Sequence, residues 1–167
     1  MRIVIVPALA LVLASCGNVS GGNDEVAMEA GKWSNTMVIE KFDMPGAPPE
    51  AAGMFAAMVG QEQTTETCMT KEDTADAAKK IEEMATGSIG EDGCTSEKFS
   101  MEGGKIDGKV TCTNEGGGSG VMTIDGTHSS TEMAMTMTAD IKDPSMPGGT
   151  ASMIMKMSGK RLGNCDG

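Results

Sequence analysis

Thr131-Glu132-Met133-Ala134-Met135-Thr136-Met137-Thr138-Ala139-Asp140-Ile141 carries an apolar residue at every second position, and Gly149 to Lys160 repeats the pattern with Met153, Met155 and Met157 set between Ser152, Ile154 and Lys156. Successive side chains of a β-strand point to opposite faces, so each methionine row falls on one face of its own strand. A helix would need the apolar positions three or four apart. Only Pro144 to Gly148 separates the two segments, too little chain for a parallel crossover, so the strands pair antiparallel.

The same punctuation continues upstream. Cys94 to Met101, Lys105 to Thr113 and Gly120 to Gly126 read as strands divided by Gly103-Gly104, by Gly116-Gly117-Gly118 and by a turn around His128. Gly31-Lys32-Trp33 opens a first strand, with Trp33, Met37 and Ile39 on one side and Val38 and Phe42 on the other, and Gln61 to Met69 forms a second. Helical spacing occurs twice. After Pro48-Pro49, the residues Ala51, Met54, Phe55, Met58 and Val59 fall on one stripe and Gly60 stops the run. Its opposite face, Ala52, Gly53, Ala56 and Ala57, is also apolar, so this helix is expected to be covered, plugging the sheet, or else to serve as a lid or partner surface. Thr70 with Asp73 three residues on caps the other helix, which turns Ala77, Ile81 and Met84 inward, pairs Asp76 with Lys80 and ends at Gly87. The expected fold is α+β: a single curved, meander-like antiparallel sheet of about seven strands with two short helices, stapled by disulfides.

Composition narrows the interior. The 167 residues include 17 Met but only 3 Phe, 1 Trp and no Tyr, so methionine takes the large-residue positions and packs adaptably.

The amino terminus gives an address. Arg2, the apolar run Ile3 to Leu13 and small residues before Cys16 form a secretory signal too short to span a bilayer as a helix. Leu13-Ala14-Ser15-Cys16 resembles a bacterial lipobox, which implies removal of residues 1–15 and acylation of Cys16 in the manner of envelope lipoproteins. Gly17 lacks the aspartate that retains such proteins at the inner membrane, so the implied location is the periplasmic face of the outer membrane. Residues 16–29, small and polar, read as an acylated flexible tether, and 30–167 as one domain, a size that buries roughly 70% of its unfolded surface. Losing Arg2 takes the formal net charge from −11 to −12. A surface so acidic repels phosphate backbones and anionic headgroups, which argues against nucleic-acid binding and against membrane contact beyond the acyl anchor.

Removing Cys16 leaves an even set of four cysteines, as suits an oxidising compartment. Three pairings are open. Cys94 and Cys112 flank one hairpin at its open end and are easy partners, which would leave Cys68 with Cys165. Gly31-Lys32-Trp33, the stretch from Gln63 to Cys68-Met69-Thr70, the Cys94 to Cys112 hairpin and the closing Gly159-Lys160-Arg161-Leu162-Gly163-Asn164-Cys165 together resemble the bacterial domain-of-unknown-function family 3617. The resemblance runs from about residue 29 to the end. It implies a secreted or lipid-anchored envelope domain and brings no catalytic residue with it.

Catalytic signatures are lacking. His128 is the single histidine and reads as an exposed turn residue; there is no Gly-x-Ser-x-Gly elbow, no His-Glu-x-x-His, no phosphate loop and no Cys-x-x-Cys. The expectation is a non-enzymatic protein without a cofactor. Its candidate site is the apolar face of Met54, Phe55, Met58, Met133, Met135, Met137, Met153, Met155 and Met157, fit for a lipid, an acyl chain or a hydrophobic peptide. The same thioethers are soft donors for Cu(I). As plain core they serve a purely structural or protein-interaction domain, since burying a methionine stabilises by about 1.5 to 3 kcal/mol unaided.

Overall fold

A computed structural model of the chain describes residues 26–87 and 93–165. The stretch expected to be a signal segment (1–15), the expected acylation site Cys16 and the expected tether up to residue 25 lie outside the described residues. Seven strands form one open sheet: β1 (Gly31–Asp43), β2 (Glu62–Met69), β3 (Cys94–Glu102), β4 (Lys105–Thr113), β5 (Ser119–His128), β6 (Glu132–Lys142) and β7 (Thr150–Gly163). Their order is β2-β1-β7-β6-β5-β4-β3, and every neighbouring pair is antiparallel. Strands β3 to β7 are a meander. The β1–β2 hairpin joins it by laying β1 against β7, which brings the two ends of the domain together. The outer strands carry charge, Glu62 and Glu66 on β2 and Glu97 and Lys98 on β3, which blunts edge-to-edge association.

Three helices flank the sheet: α1 (Pro49–Met58), α2 (Lys71–Ala75) and α3 (Ala77–Gly87). What reads as one helix after Thr70 is two, divided at Asp76, the C-cap of α2. Ala77, Ile81 and Ala85 are the buried residues of α3, while Met84 is 43% exposed. A four-residue spacing and the small Ala85 let the helix lie close on β3 and β4, where Met84 would hold it off.

The N-terminus of α2 is a reciprocal capping box. The Asp73 amide donates to Thr70 Oγ1 at 3.1 Å and the Thr70 amide donates to Asp73 Oδ2 at 2.8 Å. Lys80 pairs with Asp73, not with Asp76 as the i,i+4 spacing suggests. Lys80 first, then the Thr70 amide and hydroxyl, hold the Asp73 carboxyl well below the usual carboxylate range. A depressed native pKa contributes stability that is present above the unfolded carboxylate value and lost as pH falls through the native one. Acidification from about pH 4 downward is therefore expected to fray α2 before the sheet opens. Residue-resolved amide exchange against pH checks this, and loss of protection in α2 no earlier than in β5 or β6 would contradict it. Thr70→Ala is expected to cost about 1 kcal/mol at neutral pH, read from denaturant unfolding.

The core lies on one face of the sheet. Ile106, Val110, Met122, Ile124, Met135, Met137 and Ala139 are buried there with Ile81 and Ala85 of α3. Gly108 has a packing reason, since a Cβ at this position would stand 2.7 Å from Phe99 Cδ2, so the ring of Phe99 lies over the bare backbone. A second cluster, Met28, Trp33 and Ala77 with the partly buried Met69, Met101 and Met133, closes one end. Met28 and Glu29 therefore belong to the folded domain and not to a tether. Met28 is buried, the Glu29 amide donates to the Ser130 carbonyl at 2.8 Å, and Trp33 Nε1 donates to the Glu29 carbonyl at 3.0 Å.

Candidate ligand face

Cross-strand register assembles the methionines. Met135 of β6 stands opposite Met157 of β7, which stands opposite Met37 of β1; Met137, Met155 and Ile39 make the next row, and Ala139 and Met153 begin a third. Directly opposed residues of antiparallel strands share a face, with Cβ atoms about 4.5 to 5.5 Å apart. Phe42 completes the third row, opposite Met153. Simple alternation puts Phe42 on the other face, but a register shift between Ile39 and Lys41 inserts one residue and turns it back.

The two methionine strands differ in burial although their sequences alternate alike. Met135, Met137 and Ala139 are each 3% exposed, while Met153, Met155 and Met157 are half-buried, with Met37 and Ile39 beside them. Cover explains the difference. α3 packs over β3 and β4, and the side chains it presses down extend the dry region to β6; α1 packs chiefly on β1.

α1 does not plug the sheet. None of its residues is buried, with Met54 70% and Met58 47% exposed. The Phe42 and Phe55 rings stack at a centroid distance of 4.2 Å, and beyond the helix the Gly60 amide donates to the Ile39 carbonyl at 2.9 Å. Beneath it, Met37, Ile39, Met58, Gln61 and Gln63 line a cavity of about 30 Å³, the room of one water. A much larger open groove of about 470 Å³ is lined by Ser34, Thr36, Thr127, Glu132, Ser158 and Lys160, whose alternation belongs to the opposite, polar face, and also by His128 and Met133 at the end of the β5–β6 pair.

His128 departs from expectation. It is the last residue of β5, in phase with Met122 and Ile124, and is 9% exposed. Its amide donates to the Gly104 carbonyl at 2.9 Å, so the β3–β4 turn closes over it. Neither ring nitrogen has a hydrogen-bond partner among the described residues. The alternation of Met122, Ile124 and His128 carries the signal for this burial; a strand ended at Gly126 loses it.

The disulfides are Cys94–Cys112 and Cys68–Cys165, with Cα atoms 3.9 and 5.7 Å apart. The second spans β1, because Cys68 and Gly163 are both register partners of Lys32, one on each side. At this same end Arg161 Nε donates to the Ala30 carbonyl at 2.9 Å, and a Cβ on Gly31 would stand 2.2 Å from the Gly163 carbonyl oxygen. The glycines, cysteines and tryptophan of the N- and C-terminal motifs thus form one structural clasp. No three His, Cys, Asp or Glu side chains converge as a metal site among the described residues, and no described helix is long and apolar enough to cross a membrane.

No curated protein and no solved structure matches the chain. The model of the family described as protein of unknown function, DUF3617, matches residues 28–165, from the buried Met28 to the bridged Cys165, and the chain belongs to that family.

Proposed function

We propose that this is a non-catalytic lipoprotein of the bacterial envelope, anchored through Cys16 at the periplasmic face of the outer membrane, whose methionine face takes up an apolar chain such as a lipid acyl group. One observation carries the reading: the half-buried rows Met37–Met157 and Ile39–Met155 start at the β1 residues against which α1 lies, an apolar helix that has no buried residue of its own. α1 has little to lose by lifting, since its ring stack and the short bridge beyond it are few contacts set against a whole helix. Lifting it would open the small cavity into a continuous apolar strip from Met37 and Ile39 to Met155 and Met157, and flexible thioethers adapt to a chain of variable shape. The purely structural alternative draws on the dryness of Met135 and Met137, which need no ligand to explain them.

Native mass spectrometry of the protein extracted gently from its own membranes tests this. The acylated Cys16 mass and a co-purifying lipid mass are expected, with the lipid lost from a Met155→Ser, Met157→Ser variant that still folds. A folded wild-type protein carrying no ligand, and binding no fluorescent fatty acid, would leave the face as core.

A further inference from the structure

The clasped end of the sheet gathers the only histidine and the only tryptophan of the chain with four methionines. His128 stands directly opposite Met133 in the β5–β6 register, so their side chains share the methionine face. The Met133 methyl reaches toward β7: a Cβ on Gly159 would lie 3.6 Å from Met133 Cε and 3.5 Å from Trp33 Cε3, so thioether and indole both lie against the bare backbone of Gly159. Met101 packs with Met133 against both core clusters, and Met28 and Met69 complete the group around Trp33.

The imidazole in this setting is costly as it stands. A buried donor or acceptor left unpaired costs about 1 to 3 kcal/mol, and here both ring nitrogens are buried and unpartnered among the described residues. Coordination would use one nitrogen lone pair. The surrounding donors are neutral sulfurs, which select soft ions, and no three His, Cys, Asp or Glu side chains converge here among the described residues to make the harder site a divalent ion favours. A monovalent soft ion keeps the buried charge to one, and an indole face attracts a cation through its quadrupole. We propose that His128, Met133 and Met101, with Met28 and Met69 beside them, form a site for one Cu(I) ion against Trp33. The site uses other residues than the β7 rows assigned to an apolar ligand, and the two readings stand or fall separately.

The test titrates the full chain, purified in detergent and labelled with nitrogen-15 in histidine and carbon-13 in methionine methyls, with Ag(I). This ion shares the soft monovalent chemistry of Cu(I) and needs no reductant near the disulfides. With one histidine, the imidazole signals need no assignment. A single equivalent is expected to shift one imidazole nitrogen and several methionine methyls and to quench the fluorescence of Trp33. Competition with a Cu(I) chelator should show affinity lowered at least about 100-fold in His128→Phe, beyond what the loss of an indirect partner costs a metal site. Met101→Leu with Met133→Leu conserves volume and should fold, so it decides the matter if the histidine variant does not. Ag(I) that leaves the imidazole unshifted, that is lost only with Met155 and Met157 or with Cys16, or that fails to saturate overturns the proposal.

Discussion

Trp33→Ala is expected to lower stability by about 3 to 5 kcal/mol, the range for removing a fully buried large aromatic side chain. Trp33 is 0% exposed and packs in the second cluster with Met28 and with Ala77 of α3. The indole also holds the segment before β1, because its Nε1 donates to the Glu29 carbonyl. Truncation therefore leaves a cavity, an unpaired carbonyl and a loosened entry to the sheet. A domain of this size has about 5 to 15 kcal/mol in all, so the variant should unfold roughly 10 to 15 °C below the wild type. Circular dichroism follows this in the absence of the only tryptophan. Trp33→Phe is expected to recover most of the loss but not the hydrogen bond. A change below about 1 kcal/mol in the alanine variant would show that the cluster collapses to fill the space.

Removing the Cys68–Cys165 bridge as a Cys68→Ser, Cys165→Ser pair is expected to cost about 4 to 5 kcal/mol by the chain-entropy model, because it closes 97 residues; the 18 residues closed by Cys94–Cys112 give about 3. The native structure adds to the difference. β2 is an edge strand whose residues Glu62 to Cys68 are all exposed, so little apolar burial holds it apart from its ladder to β1. Amide exchange in the serine pair should rise first in β2 and α2, with β5 and β6 still protected. Cys112 is only 5% exposed, so the other bridge is better tested with alanine, which leaves no buried hydroxyl unpaired. Denaturant unfolding of both variants gives the order. Equal losses would mean that the unfolded chain keeps its ends near each other without the bridge.

Much of the architecture was legible in local pattern. Alternation marked Lys105 to Thr113 residue for residue as β4, and Thr70 with Asp73 announced the cap of α2. Both signals involve residues a few positions apart, where backbone geometry alone decides. Errors arose where a distant neighbour intervened. Phe42 changes face through a register shift against β7, Lys80 takes the nearer carboxylate that the break at Asp76 presents, and His128 is buried because β5 runs two residues past the glycine that looks like its end.

The candidate face divides in the same way. By itself, the sequence determined that the methionines of Thr131 to Ile141 and of Gly149 to Lys160 each line one face, since a period of two permits nothing else in a strand. It also determined that neighbouring strands of the meander are antiparallel, since the connections are too short for any other course. Only the tertiary structure decided that Met135 and Met137 are dry while Met155 and Met157 are half-open, that α1 lies unburied over β1, and that His128 joins Trp33 and Met133 at the clasp. Those outcomes depend on which remote segment covers which row, and two rows of the same chemistry carry no mark of which will be covered.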